Sequence, residues 1–302
     1  MDHIKEIEPT TQYIHTNIFE EDLSIVIHGL VDFISKELNE GKEEKIRKQR
    51  VLNYINNRKL ILQEIYNWLL NNQNDSTSTY LLGYFNYHGI ETDINKQKAS
   101  VLYQKAADLK NDLAQFDLAL MYEDGEGIEK NYGMTFELAK ELTEREYSSG
   151  INLLGYCYFN GIGTEVNKQK AFDLYYKAAN LGNNRAQCNL ALMYKNENFI
   201  KDNDKVFELS KKCSEGKHSG GINLLGYCYD NGIGTEIDTQ KAFELYHEAA
   251  NLGNKVAQHN LANMYEHGEG VEKNVSKAIY WYKKSAEQGY QNAQNILKNL
   301  QK

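Results

Sequence analysis

A short anchor, Leu followed by Gly or Ala and then, in five of its six copies, a Tyr three residues on, recurs at Leu82, Leu118, Leu154, Leu190, Leu225 and Leu261. The spacings are 36, 36, 36, 35 and 36 residues, and nothing else in the sequence restricts the fold as much. Periods of 20 to 50 residues belong to solenoids or propellers, and here the apolar residues between anchors recur at helical spacing, not in alternation. Each unit is therefore a helix pair, too small to bury its own apolar side and stable only when stacked on its neighbours. A longer period lies over the first. The segment 151–183 returns almost unchanged as 222–254, so a block of two repeats has been copied.

Within the third unit the first helix is expected at about 150–160 and the second at about 168–180. Gly161 and Gly163 follow the first helix, where left-handed backbone ends a helix and turns the chain back. Asn167 and Asp238 are placed to cap the second helices. Gly155 and Gly226 lie inside first helices at a propensity cost of about 1 kcal/mol each, which close helix packing offsets. Tyr158, Tyr229 and Tyr265 read as core, with hydroxyls tying the following turn. Cys157 and Cys228 share one repeat position with Met121, Met193 and Met264, the mark of a packing slot and not of a catalytic thiol. Two units depart from the pattern. The first has Glu91 at its second turn glycine and Asn86 at the tyrosine. The fourth has Glu197 and Phe199 at the glycines and is one residue short, which predicts a distorted turn near 196–203.

The residues Ala257, Leu261, Tyr265, Gly268, Gly270, Lys277, Ala278, Trp281, Tyr282, Lys284, Ala286 and Gly289 carry a pattern that resembles the Sel-one-like repeat, a relative of the tetratricopeptide repeat. The resemblance spans roughly 76–302 and implies an all-α fold, a right-handed α-solenoid superhelix of six antiparallel helix pairs used as an adaptor in protein assembly. The Asn-, Lys- and Tyr-rich copies are similar to fungal sets of these proteins in which the array often follows a protein kinase domain. No kinase glycine loop, His-Arg-Asp or Asp-Phe-Gly motif occurs in this chain. Some bacterial members carry a disulfide in every helix pair and a proposed β-lactam-hydrolysing activity; this chain has no cysteine pair in each repeat.

The expected organisation is a mobile lead at 1–21, an N-terminal cap of irregular helices within 22–75, and six repeats at 76–111, 112–147, 148–183, 184–218, 219–254 and 255–289. A capping helix at 290–302 follows. Three amphipathic helices are expected at 22–38, 43–57 and 60–72, the last two as a pair stacked on repeat 1, with 22–38 open to a second reading as a partner-binding or dimerising helix.

Composition narrows the function. A formal net charge of −8 opposes the basic stripe that phosphate binding needs, so nucleic acid is not an expected partner. With no apolar run of 18 residues and no basic-then-apolar leader, a soluble cytoplasmic protein without a membrane partner is expected. Four cysteines without a metal-type spacing read as reduced and buried. Gly-x-Gly pairs such as Gly125 and Gly127 follow helices and lack the third glycine of a dinucleotide site. His259 and His267 read as surface residues. No catalytic residue, cofactor or metal is expected.

What remains is a surface. The residue after the anchor's small residue, in the row Tyr84, Leu120, Tyr156, Leu192, Tyr227 and Asn263, forms an aromatic and apolar ladder along the first helices. Phe159 stands in the adjoining row, beside Glu123, Lys195, Asp230 and Glu266. Tyr84, Leu120, Tyr156, Leu192, Tyr227 and Phe159 are the candidate partner-binding residues on the concave face. The alternative is that neighbouring first helices bury the row between them. The expected role is a non-enzymatic scaffold gripping a peptide or helix of another protein, the acidic rim favouring basic residues. The other role is a regulatory or targeting region in a protein-kinase signalling system, associated with a kinase.

Overall fold

The computed structural model describes residues 20–196 and 200–300. Among these are sixteen helices and no strand. The lead expected at 1–21 lies, but for its last two residues, outside the described residues, as does Phe199 of the fourth turn. Three helices precede the array: α1 (Glu20–Asn39), α2 (Glu44–Asn57) and α3 (Leu62–Asn71). Six pairs follow: α4 (Ser76–His88) with α5 (Lys96–Asp108), α6 (Asp112–Asp124) with α7 (Tyr132–Glu144), and α8 (Ser148–Asn160) with α9 (Lys168–Asn180). Then come α10 (Asn184–Lys195) with α11 (Asn203–Glu215), α12 (Ser219–Asn231) with α13 (Thr239–Asn251), and α14 (Lys255–His267) with α15 (Val275–Glu287). The last helix, α16 (Gln291–Leu300), packs on α15 through the buried Ala293. Along the array each helix packs mainly on the helices before and after it in sequence, as a solenoid requires.

Local chemistry fixes each pair. The second helices begin at Asn95, Asn131, Asn167, Asp202, Asp238 and Asn274, whose side chains each accept a hydrogen bond from a backbone N–H of the first turn. Five first helices end on a glycine in left-handed geometry, Gly161 at φ 75° among them. Gly83, Gly155 and Gly226 lie where any Cβ would meet the rings of Tyr103, Tyr175 and Tyr246 at 3.0 Å or less. The missing side chain lets each second-helix tyrosine lie flat against the first helix. Cys157, Cys228, Met121, Met193 and Met264 are all buried, as a packing slot demands.

The second turn glycine does a different job, between repeats. A Cβ on Gly163 would lie 2.2 Å from the carbonyl oxygen of Tyr132, and one on Gly127, Gly234 or Gly270 would strike the start of the preceding second helix as closely. Repeat 1 has no repeat before it, and there Glu91 takes the same left-handed conformation at φ 54°. The same seam holds a ring pair, Phe136 with Tyr158, Phe207 with Tyr229 and Phe243 with Tyr265, each at 5.5 Å between centroids. Tyr265 is buried core, as expected, and Tyr158 and Tyr229 are half-buried against the core at the seam; it is the carbonyl oxygens of Tyr158, Tyr229 and Tyr265, not the hydroxyls, that accept the turn-closing bonds from Asn167, Asp238 and Asn274.

Two readings of single residues need correction. Cys188 on α10 and Cys213 on α11 are joined by a disulfide, with Cα atoms 5.7 Å apart, whereas Cys157 and Cys228 are free. The sequence reading of four reduced thiols missed a pair that only the antiparallel packing of repeat 4 brings together. His259 is buried between the rings of Tyr282 and Tyr290 and not at the surface; His267 is exposed.

Candidate functional site: the groove along the first helices

Helix α3 stacks on repeat 1 as the sequence suggests, but α2 is not its close partner. Helix α2 pairs with α1 while α3 packs on α4, and α1 reaches across both α4 and α8. The apolar side of α1, with Ile27, Leu30, Ile34 and Leu38, is buried within the chain, which leaves little of it for dimerisation. Helix α2 buries Arg47, Val51 and Ile55, one side of two helical turns.

That arginine anchors the segment in the groove. Its Nη2 lies 3.8 Å from Oδ1 of Asp117 on α6, and the Tyr80 hydroxyl donates to the other oxygen of the same carboxylate at 3.0 Å. Arg47, Asp117 and Tyr80 are all buried. Lys48 donates to the carbonyl of His88 at 2.7 Å. Burial and the positive charges of Arg47, Lys48 and Lys96 push His88 down to about 3, so its ring is neutral.

The turn between α1 and α2 continues along the starts of later first helices. Ser149 donates to the carbonyl of Leu38 at 2.6 Å and Ser148 to that of Asn39 at 2.8 Å. Asn183 donates to the Asn39 carbonyl, and the backbone N–H of Asn184 to that of Glu40. The unpaired carbonyls at the end of α1 thus meet donors at the positive ends of α8 and α10. Farther along, Glu43 Oε1 accepts from both the backbone N–H and the hydroxyl of Ser219 at 2.7 Å. The N-cap of α12 is His218, which forms no side-chain cap bond; Glu43 caps that helix from 176 residues away.

The ladder is divided by this arrangement. Tyr84 is completely buried, with Arg47 beside it, and its expected exposure is overturned because α2 covers it. Leu120 is half-buried beside a small cavity that Arg47 also lines. Tyr156 is 36% and Leu192 53% exposed, and Tyr227 and Phe159 are half-buried. The rows are therefore not consumed between neighbouring first helices in repeats 3 to 5. Tyr156, Phe159, Leu192, Met193, Tyr175 and Lys168 border one apolar cavity of about 160 Å³. Lys195 lies over the Tyr227 ring, 3.4 Å from its centroid. Burial raises the carboxyls of Glu123, which also faces Asp124, and of Asp230 above the usual carboxylate range. Both carboxylates are poorly solvated and gain from a nearby cation. Among the described residues no helix is long and apolar enough to cross a membrane.

Comparison with known proteins agrees with this architecture. A Sel1 repeat protein from Oxalobacter formigenes superposes with a TM-score of 0.66 at 28% identity, covering 77% of this chain and 94% of that one. DAP3-binding cell death enhancer 1 of Mus musculus is 25% identical over 158 residues, 52% of this chain and 31% of that protein. Activator of C kinase protein 1 of Saccharomyces cerevisiae is 34% identical over 105 residues, 32% of this chain and 17% of that protein. The chain thus spans about a third or less of the length of these curated relatives. The Sel1 repeat model itself matches residues 76–111, 112–145, 148–183, 184–205, 220–254 and 255–290. With six matches in phase over most of its length, the chain belongs to the Sel1 repeat family.

Proposed function

We propose that this chain is a non-enzymatic adaptor that grips a peptide or helix of a partner protein in the groove over repeats 3 to 5. Sel1-repeat solenoids generally act as scaffolds for protein interaction, which sets the class. The observation that carries the finer reading is that Tyr156, Leu192, Phe159 and Tyr227 stay accessible in one groove whose other half already holds a helical segment of the chain itself. Exposed aromatic and leucine side chains around an apolar cavity are the usual anchors of an interface. The half-buried carboxylates of Glu123 and Asp230 favour a partner with basic residues beside its apolar ones.

The test is a peptide selected against the immobilised chain, measured by calorimetry. Tyr156→Ala combined with Leu192→Ala is expected to weaken it about tenfold or more, whereas Val101→Ser, at an exposed site on α5, leaves it unchanged. Equal binding by wild type and the double variant overturns the reading. The likeness to Activator of C kinase protein 1 favours a second reading, a regulatory or targeting region in a protein-kinase signalling system. In that case the groove's occupant is a kinase or a segment attached to one, and binding of a purified kinase domain lost in the double variant is the expected result.

A further inference from the structure

The joint between repeats 4 and 5 gathers ligand-type atoms that the groove does not use. Cys188 on α10, Cys213 on α11 and His218 at the start of α12 place their sulfur and ring nitrogen atoms within 4.8 Å of one another. Cys188 Sγ and His218 Nδ1 are 3.5 Å apart. A tetrahedral ion with bonds of about 2.3 Å to sulfur and about 2.0 Å to nitrogen separates those two ligands by about 3.5 Å. Glu43 Oε1 lies 3.7 Å from the same His218 nitrogen. Both cysteines are buried, His218 is half-buried, and the four residues come from four different elements.

We propose that, with the disulfide reduced, Cys188, Cys213 and His218 bind a zinc-class divalent ion, with Glu43 as the fourth ligand. Two thiolates and one imidazole form a soft donor set that selects zinc over magnesium or calcium. The chemistry balances in two steps. A dithiol or phosphine reductant delivers two electrons, and with two protons the disulfide becomes two thiols; the ion then displaces both thiol protons and forms two metal–sulfur bonds. The sulfurs separate to about 3.8 Å, the edge of a tetrahedron with those bond lengths. Two thiolates, one carboxylate and a divalent ion leave one net negative charge, and Arg185, which acts electrostatically on His218, offsets it. The ion fastens α10, α11, α12 and the start of α2 together, in the repeat that lacks both turn glycines.

Cobalt(II) titration of the full chain in a phosphine reductant, followed by displacement with zinc, tests this. The expected result is one cobalt per chain, with thiolate-to-cobalt charge-transfer absorption that zinc abolishes. Cys213→Ser and His218→Ala are each expected to weaken binding by more than about tenfold, and Glu43→Gln by less. His218→Ala, at a partly exposed cap, keeps the test decisive if Cys213→Ser fails to fold, and helical content by circular dichroism identifies that case. Cys157→Ser with Cys228→Ser is expected to leave the titration unchanged. No charge-transfer band in the reduced chain, a band in the unreduced chain, an unaltered titration in His218→Ala, or loss of binding in the double control variant each overturns the assignment.

Discussion

Repeats 1 and 2 and repeats 3 to 5 are built from the same unit, yet their grooves differ. In the first, Arg47, Asp117 and Tyr80 form a buried polar knot under α2, and Tyr84 is sealed beneath it. In the second, Tyr156 and Leu192, the counterparts of Tyr84 and Leu120, face solvent. The difference teaches that a repeat position has no fixed environment: the stack sets which way a residue points, and whatever lies in the groove sets whether water reaches it.

The largest test of this contrast is removal of the knot. Arg47→Ala leaves the Asp117 carboxylate buried without its counter-charge and is expected to cost about 3 kcal/mol or more, read as a lower urea midpoint. A correspondingly truncated side chain in the open half, Leu192→Ala, is expected to cost well under half of that. If the two losses are equal, the N-terminal helices are not anchored as described.

At the boundary between the halves, Gly163→Ala introduces both a disfavoured backbone conformation and a collision with the Tyr132 carbonyl. Gly182, at φ 84° with nothing within 4 Å of an added Cβ, isolates the conformational part, about 1 kcal/mol. Thermal unfolding of both variants is expected to show Gly163→Ala losing at least twice as much.

Acid should act with opposite signs on the buried His88 and on the half-buried carboxyls of the groove. His88 has a folded pKa of about 3 against an ordinary 6.5, so below about 6.5 the unfolded chain takes up a proton that the folded one refuses, and stability falls as pH drops through that window. The groups facing its ring are Arg47, Lys48, Lys96 and Glu44. Glu123 and Asp230 have raised pKa values when folded. For them the folded chain binds protons first, so stability is regained as pH falls through the raised range. His88→Gln is expected to flatten the acid loss, and Asp230→Asn to stabilise at pH 7 but not at low pH, both followed by melting temperature against pH. The smallest expected effect is Ser149→Ala, which removes one bond to the Leu38 carbonyl and costs about 1 kcal/mol, seen as faster amide exchange at the end of α1.

The array was legible because its signals are local and repeated: the spacing of the anchors, the Asn or Asp before each second helix, and the glycine pairs all report contacts within one or two units. The groove's occupant left no such signal, since Ser148, Asn183 and Ser219 meet residues more than a hundred positions away. Two clues were available. Arg47 shares a helix side with Val51 and Ile55, an odd place for a cation unless a carboxylate faces it. Tyr147 and His218 stand where Asp75, Asn111, Asn183 and Asn254 cap the other first helices. Cys188 and Cys213, 25 residues apart on separate helices, match no spacing rule because helix pairing alone brings them together. The candidate ladder was read as one row; the structure shows a row with its first rung covered.

The touch of Gly163 on Tyr132, and of Gly234 on Asn203, has an evolutionary consequence. At the glycine the joint is a main-chain fit, so Tyr132 and Asn203 serve equally; beside it the earlier unit supplies a ring, Phe136 or Phe207, for the next unit's tyrosine. A stretch of gene carrying its own turn glycines can then be copied and spliced in behind a predecessor that supplies such a ring, with no particular residue required at the glycine contact itself. The near-identical tracts at 151–183 and 222–254 are what such growth leaves behind.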